Sequence, residues 1–164
     1  RWVSYERLRR CNTLRKETNM NMERLLSSVR SNEGYRNKVY LDSLGKRTVG
    51  VGHLCVEDFW EDDKEYEESF LMEILEKDLE TAISGAEELL GEYTVHDHCK
   101  ELLVEMVFQL GKTGVSKFRN MWSALKDHKI PDYKTASLEM LDSKWAKQTP
   151  NRAKRMSDIM ASLA

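Results

Sequence analysis

Apolar side chains return every three or four positions along most of this chain, with one stretch where they alternate instead. Trp2, Tyr5, Leu8, Cys11 and Leu14 recur at helical spacing and predict an amphipathic helix over residues 2–16. A second helix is predicted to open on Asn19 or Asn21 as its cap and to carry Met22, Leu25, Leu26 and Val29 on one face. It runs out near Asn32-Glu33-Gly34, where glycine is a natural stop. The period then shortens. Val39-Tyr40-Leu41, a turn at Asp42-Ser43-Leu44-Gly45, and Thr48-Val49-Gly50-Val51-Gly52 predict a β-hairpin within residues 38–54. Gly50 and Gly52 leave one strand face bare. Bare backbone of this kind suits close approach by a ligand or another chain, and equally suits a strand packed tightly on a helix.

Helical spacing resumes from about Asp63 to Leu90, with Phe70, Leu71, Ile74, Leu75, Leu79, Ile83 and Ala86 along one side. Residues 95–110 are apolar around much of the circumference, through Val95, Cys99, Leu102, Leu103, Met106, Val107 and Leu110. That pattern predicts a helix at the centre of a helical lobe, ended by Gly111. Further helices fit 115–128, 132–142 and 150–163, the last with Thr149 as N-cap and Pro150 at its first position. The predicted architecture is α+β and two-lobed. A small β-hairpin lobe at about 33–62 joins through a long helix at about 64–90 to a larger all-helical lobe at about 91–164, and residues 1–18 are an N-terminal helical extension.

Composition narrows this moderately. At 164 residues and 40% hydrophobic, the chain is long enough to bury a core without disulfides or a metal. Its three cysteines, Cys11, Cys55 and Cys99, are odd in number and widely spaced, which argues against a disulfide framework and against a zinc site. Three reduced thiols are expected. No apolar run approaches the ~20 residues that cross a bilayer, so no membrane span is expected. Arg1–Arg10 holds no apolar stretch of the signal-peptide kind. A chain opening on Arg is nonetheless expected to be a trimmed product. Secretion or delivery to a bacterial cell wall after loss of a leader therefore stands beside a cytoplasmic location before release.

The formal net charge is only −2, but it is unevenly laid out. Residues 1–30 hold eight basic and three acidic side chains, residues 57–92 fifteen acidic and two basic, and residues 112–155 eleven basic and four acidic. A basic face attracts anionic polymers such as cell wall or nucleic acid, and it also arises simply from solvated helix faces. No aromatic-basic motif accompanies the 112–155 stretch, so nucleic acid is not expected as a partner.

Candidate chemistry sits where helix gives way to hairpin. Glu33 follows the second helix, and Asp42 and Thr48 come nine and fifteen residues later. Glycoside hydrolysis needs such a group: one carboxylic acid protonates the leaving oxygen, and a second carboxylate activates water or attacks the sugar. Spacing alone is weak evidence, because acidic pairs near turns are common.

The wording of the segment is more specific. Asn32-Glu33-Gly34-Tyr35-Arg36, then Lys38-Val39-Tyr40-Leu41-Asp42, Gly45, and Thr48-Val49-Gly50-Val51-Gly52-His53-Leu54 closely resemble the catalytic stretch of the T-even phage lysozymes. Met106-Val107-Phe108-Gln109-Leu110-Gly111-Lys112-Thr113-Gly114-Val115 with Phe118 resembles a second block of that family. Ser143-Lys144-Trp145 with Gln148-Thr149-Pro150-Asn151-Arg152-Ala153-Lys154-Arg155 resembles a third, in the same order. The resemblance implies the two-lobed lysozyme fold for residues 19–164. It implies a monomeric, cofactor-free and metal-free peptidoglycan hydrolase that cleaves the β-1,4 bond between N-acetylmuramic acid and N-acetylglucosamine. Glu33 takes the place of the general acid, Asp42 that of the carboxylate activating water, and Thr48 that of the threonine placing that water. The family is similar to inverting glycosidases, which leave ~6.5–9.5 Å between the carboxyls. Leu54, Phe108 and Gln109 match contacts to sugar or peptide, Arg152 matches an arginine paired with the acid, and His53 with Asp78 matches a buried ion pair.

Departures from the family pattern are local. The stretch from His53 to Asp78 is shorter, and the acidic Glu57–Glu68 run replaces a strand and a small helix. Glu105 stands where a buried amide neighbours the arginine, placed to pair with Arg152. Lys144 replaces an arginine and loses its planar fork. Met121 and Glu139 stand where the family turns small polar or amide groups toward substrate. These departures motivate a competing reading, a non-catalytic lysozyme-fold module binding glycan or a protein partner.

Overall fold

Local chemistry starts and stops most elements of the structure. The computed structural model describes residues 20–164, and the helix expected over 2–16, with Cys11, lies outside the described residues. Those residues hold seven helices and one three-stranded antiparallel sheet, in two compact units that divide between Thr81 and Ala82.

In the first unit, helix α1 (Met22–Glu33) starts on Asn21, whose side chain accepts the Arg24 N–H at 3.0 Å. This satisfies one of the donors that a helix start leaves without an intrahelical partner. Leu25 and Val29, four residues apart on one face, are buried. Gly34 ends the helix at φ +72°, its N–H bonded to the Arg30 carbonyl, in a backbone conformation that only glycine reaches without steric cost. Glu33 is therefore the last helical residue, not the first residue beyond the helix.

Strand β1 (Arg36–Leu41) pairs with β2 (Arg47–Gly50), Tyr40 opposite Thr48, and β2 pairs with β3 (His53–Leu54), Val49 opposite His53. Asp42 closes the β1–β2 turn, its Oδ1 accepting the N–H groups of Leu44 and Lys46 at 2.9 and 2.8 Å. The segment read as one strand from Thr48 to Gly52 bends back after Gly50, and the expected hairpin gains a short third strand. Gly50 and Gly52, at φ +62° and +66°, make that bend. Gly50 packs on a helix, since a Cβ there would meet the Leu71 side chain at 3.4 Å, whereas Gly52 packs on Glu33.

The acidic residues after β3 do not open a helix; they form a loop folded over the sheet. Trp60 of this loop is buried with Val49 and Leu71, and Val39, Cys55, Tyr66, Met72 and Ile74 pack against them. Arg47 holds the loop from β2, donating to Asp62 at 2.9 Å and to the Trp60 carbonyl at 3.1 Å. The Asn37 carbonyl, in the irregular part of β1, accepts the Tyr66 N–H. Helix α2 (Glu68–Leu90) accordingly begins later than the expected 63 or 64.

The second unit contains the end of α2, α3 (Asp97–Ser116), α4 (Arg119–Lys126), α5 (Tyr133–Leu141), α6 (Lys144–Gln148) and α7 (Pro150–Ser162). Gly111 interrupts α3, at φ +77° and ψ 161°, and the chain resumes helical geometry to Ser116. Helix α6 was not expected. Ser143 caps it by accepting the Ala146 N–H at 3.1 Å, and the Thr149 hydroxyl donates to the Trp145 carbonyl at 3.0 Å at its other end. The Thr149 side chain, turned toward Trp145, makes no side-chain cap for α7, although Pro150 does open that helix. Leu103, Met106, Met121, Leu125, Met140 and Met160 fill the core. Leu103→Ala is expected to lower unfolding stability by about 2–5 kcal/mol; a loss well under 1 kcal/mol in urea unfolding would contradict close packing at that position. Cys55 and Cys99 are free thiols, and burial pushes the Cys99 thiol up to about 12, so Cys99 is expected to resist alkylation until the unit unfolds. Among the described residues, no helix is long and apolar enough to cross a membrane.

Candidate active site

Helix α1 delivers Glu33 to the turn between β2 and β3. A Cβ on Gly52 would stand 2.7 Å from Glu33 Oε2 and 3.0 Å from both Cδ and Cγ. Only bare backbone leaves room for this half-buried side chain. Tyr40, on β1, lies within electrostatic reach of Glu33 and Asp42 alike. Burial first, then the Glu33 carboxylate, raises the Tyr40 hydroxyl above the usual tyrosine range; Arg36 opposes this and Asp42 adds to it. The Arg36 guanidinium stands 5.0 Å from the centre of the Tyr40 ring. The two carboxylates therefore share one neighbourhood around Tyr40.

Thr48 is buried in the central strand, opposite Tyr40 on one side and Leu54 on the other. Its hydroxyl donates to the Lys46 carbonyl at 3.0 Å. With its single proton engaged there, Oγ1 has lone pairs left to accept a hydrogen bond, as from a water. Asp42 is held in a similar way, since the turn takes Oδ1 and fixes the plane of the carboxylate. Leu54 is exposed on β3.

His53 is gripped from both nitrogens. Nδ1 lies 2.7 Å from Asp78 Oδ2, and Nε2 lies 3.1 Å from Glu57 Oε2. The Asp78 hydrogen bond, opposed by burial and reinforced by the Glu57 bond, holds His53 above its ordinary value of 6.5. Burial alone would raise Glu57, but the bonds from Trp60 and His53 outweigh it and hold the carboxyl below its ordinary 4.5. The contribution of His53 to stability is therefore complete below pH 6.5 and is lost as pH climbs through the raised folded value. That of Glu57 is complete above pH 4.5 and is lost as pH falls through the lowered one. Glu57→Gln is expected to depress the melting temperature most between pH 4.5 and 6.5, with the gap to the native chain closing in alkali. A gap that widens with rising pH would contradict this assignment of charges.

In the second unit, Phe108 and Gln109 are half-buried on α3. The indole N–H of buried Trp145 donates to Gln109 Oε1 at 2.8 Å, which leaves the Gln109 NH2 group as the outward donor. The same unit holds a groove of about 520 Å³, lined by Phe118, Met121, Glu139, Lys144, Trp145 and Gln148 among others. Arg152 and Glu105 are both buried, and Arg152 Nη2 stands 3.5 Å from Glu105 Oε1. Tyr40, Glu57 and Trp60 had no assigned role in the sequence reading. Trp60 carried a signal, an indole inside an otherwise acidic run, whereas Glu57 carried none, being one carboxylate among many.

The sequence profile of phage lysozymes matches residues 30–158. The chain is 26% identical to "Probable T4-type lysozyme 2" of Dictyostelium discoideum, over 82% of this chain and 92% of that protein. It is 25% identical to "Probable T4-type lysozyme 1" of the same organism, over 83% of this chain and 95% of that protein. It is also 30% identical to the pre-baseplate central spike protein Gp5 of Enterobacteria phage T4, over 87% of this chain but 28% of that longer protein.

Proposed function

The chain belongs to the phage lysozyme family, and from that premise we propose that it is a muramidase, hydrolysing the β-1,4 bond between N-acetylmuramic acid and N-acetylglucosamine in peptidoglycan. The observation that carries this reading is the seat of Glu33 on Gly52, beside a ring that also feels Asp42. Glu33 is the general acid, giving its proton to the glycosidic oxygen as the bond to the sugar breaks. Asp42 takes a proton from the attacking water, and Thr48 accepts a hydrogen bond from that same water and so aims its lone pair. Leu54, Phe108 and Gln109 are the proposed contacts to sugar or peptide, Gln109 through its NH2 group. Attack on the face opposite the leaving group inverts the anomeric carbon. The first muramic acid end released should therefore be α-configured by NMR, and a β-configured first product would contradict the role given to Asp42.

Asp42 has two duties, and substitutions separate them. Asparagine keeps the Oδ1 acceptor for Leu44 and Lys46 but removes the charge. Asp42→Asn is expected to cut turnover by about 10²–10⁴-fold with little change in melting. Asp42→Ala should lose the same activity and, in addition, about 1 kcal/mol of stability through the turn. The assay is the appearance of new reducing ends from purified peptidoglycan. If none appear from mildly acidic to neutral pH, the chain is a non-catalytic module binding glycan or a protein partner.

A further inference from the structure

The turn that seats Glu33 is anchored by the next residue, and that anchor can titrate. His53 follows Gly52 directly and meets Asp78 on α2 through Nδ1 and Glu57 in the loop through Nε2. Glu57 Oε2 also accepts the Trp60 indole N–H at 2.7 Å, and the Trp60 ring lies 5.7 Å from the His53 ring, centre to centre. A neutral imidazole carries one N–H and one bare lone pair. It can donate to one of these carboxylates and must turn its lone pair on the other. Both contacts hold together only when the ring is an imidazolium. On loss of the proton, Asp78, the closer partner, keeps the N–H, and the Glu57 carboxylate faces bare Nε2. The repulsion acts on the loop and on β3, one peptide unit from the backbone against which Glu33 lies.

We propose that His53 is a positioning residue for Glu33: clamped as an imidazolium between Asp78 and Glu57, it holds Gly52 where the Glu33 carboxylate rests, and its deprotonation loosens that seat. The idea rests on Glu33 being the acid. The charged groups that bear on His53 among the described residues are Asp78 from α2 and Glu57 from the loop, while Val49 on β2 and the Trp60 ring are uncharged. The Asp78 and Glu57 bonds favour the charged ring against its burial, so the clamp stays closed above the pH at which a free histidine opens. Glu57 belongs to the shortened acidic stretch, which makes this half of the clamp a feature of this chain's own loop.

The test follows the His53 Hε1 shift by NMR, and kcat on purified peptidoglycan, across the same pH range in the native chain and in Glu57→Gln. Glutamine keeps a carbonyl for the indole N–H but offers no charge to the imidazolium. The His53 titration is expected to fall by about one unit, and one ionisation in the kcat profile should fall with it, KM staying put. A merely structural ion pair would change the melting temperature and leave the kcat profile in place, and that outcome overturns the proposal. A His53 titration unmoved by the substitution overturns it as well. The side-chain carboxyl carbon of Glu33 gives a readout that needs no turnover: its shift should carry an inflection at the His53 titration that moves in Glu57→Gln. If peptidoglycan is not cleaved at all, the muramidase reading fails, and the presence or absence of that inflection still decides the positioning link.

Discussion

Glu33→Gln is expected to stop peptidoglycan hydrolysis while leaving the fold in place. The substitution keeps the length and volume of the side chain, so the packing against Gly52 survives. What disappears is the proton that the leaving oxygen needs. The O4 alkoxide of N-acetylglucosamine is a poor leaving group, and removal of a positioned general acid typically lowers rate by about 10²–10⁴-fold. A half-buried position at a helix end, exchanged for a near-isosteric amide, should shift stability by no more than about 1 kcal/mol. The measurement is kcat/KM on purified peptidoglycan together with the melting temperature. Turnover at the native rate in Glu33→Gln would remove this residue from the chemistry altogether. A loss of activity matched by a collapse in melting would show only that the side chain supports the fold.

Gly52→Ala should be nearly as damaging to turnover, for two separable reasons. First, φ at Gly52 is +66°, a conformation that costs a residue bearing a Cβ roughly 1–2 kcal/mol. Second, the new methyl would fall 2.7 Å from Glu33 Oε2, closer than any real contact, so the carboxylate must move. A displacement of about 1 Å in a catalytic group can cost about 10²-fold in rate. Gly91 supplies the comparison, because it sits at φ +64° with nothing within 4 Å of a Cβ. Gly91→Ala should carry the backbone cost alone, lowering the melting temperature and leaving kcat untouched. If Gly52→Ala loses stability as Gly91→Ala does but keeps full turnover, the contact with Glu33 has no catalytic meaning.

Much of the local structure was legible along the chain because its causes lie within a few residues. Asn21 reaches the Arg24 N–H, Gly34 takes positive φ where α1 stops, and Pro150 opens α7. Each is a contact or a torsion limit acting over one turn of backbone. The candidate pair Glu33 and Asp42 was legible in another way, through the wording of a family motif, since two carboxylates near a turn mean little by spacing alone. Where the reading strayed, a distant partner was responsible. Lys64, Glu65 and Glu67 are good helix formers, yet Tyr66 between them is drawn into a core with Trp60 and Val49 and bonds the Asn37 carbonyl, so the helix waits until Glu68. Thr149 has the right residue type for a cap, but its hydroxyl is turned back to the Trp145 carbonyl of the preceding helix and bonds no N–H of α7.

The sequence by itself determined most of the helical segments, the caps and the β1–β2 turn, and which side chains are equipped to move a proton. Those properties follow from periodicity, torsional preference and functional-group chemistry, all of which belong to short stretches. Tertiary structure alone decided that Gly50 rests on a leucine and Gly52 on the candidate acid. It alone decided that His53 meets Glu57, four residues on, in addition to Asp78, which the family resemblance had already named. Through-space distance sets those energies, and a linear order of residues does not encode distance until packing has folded one stretch against another.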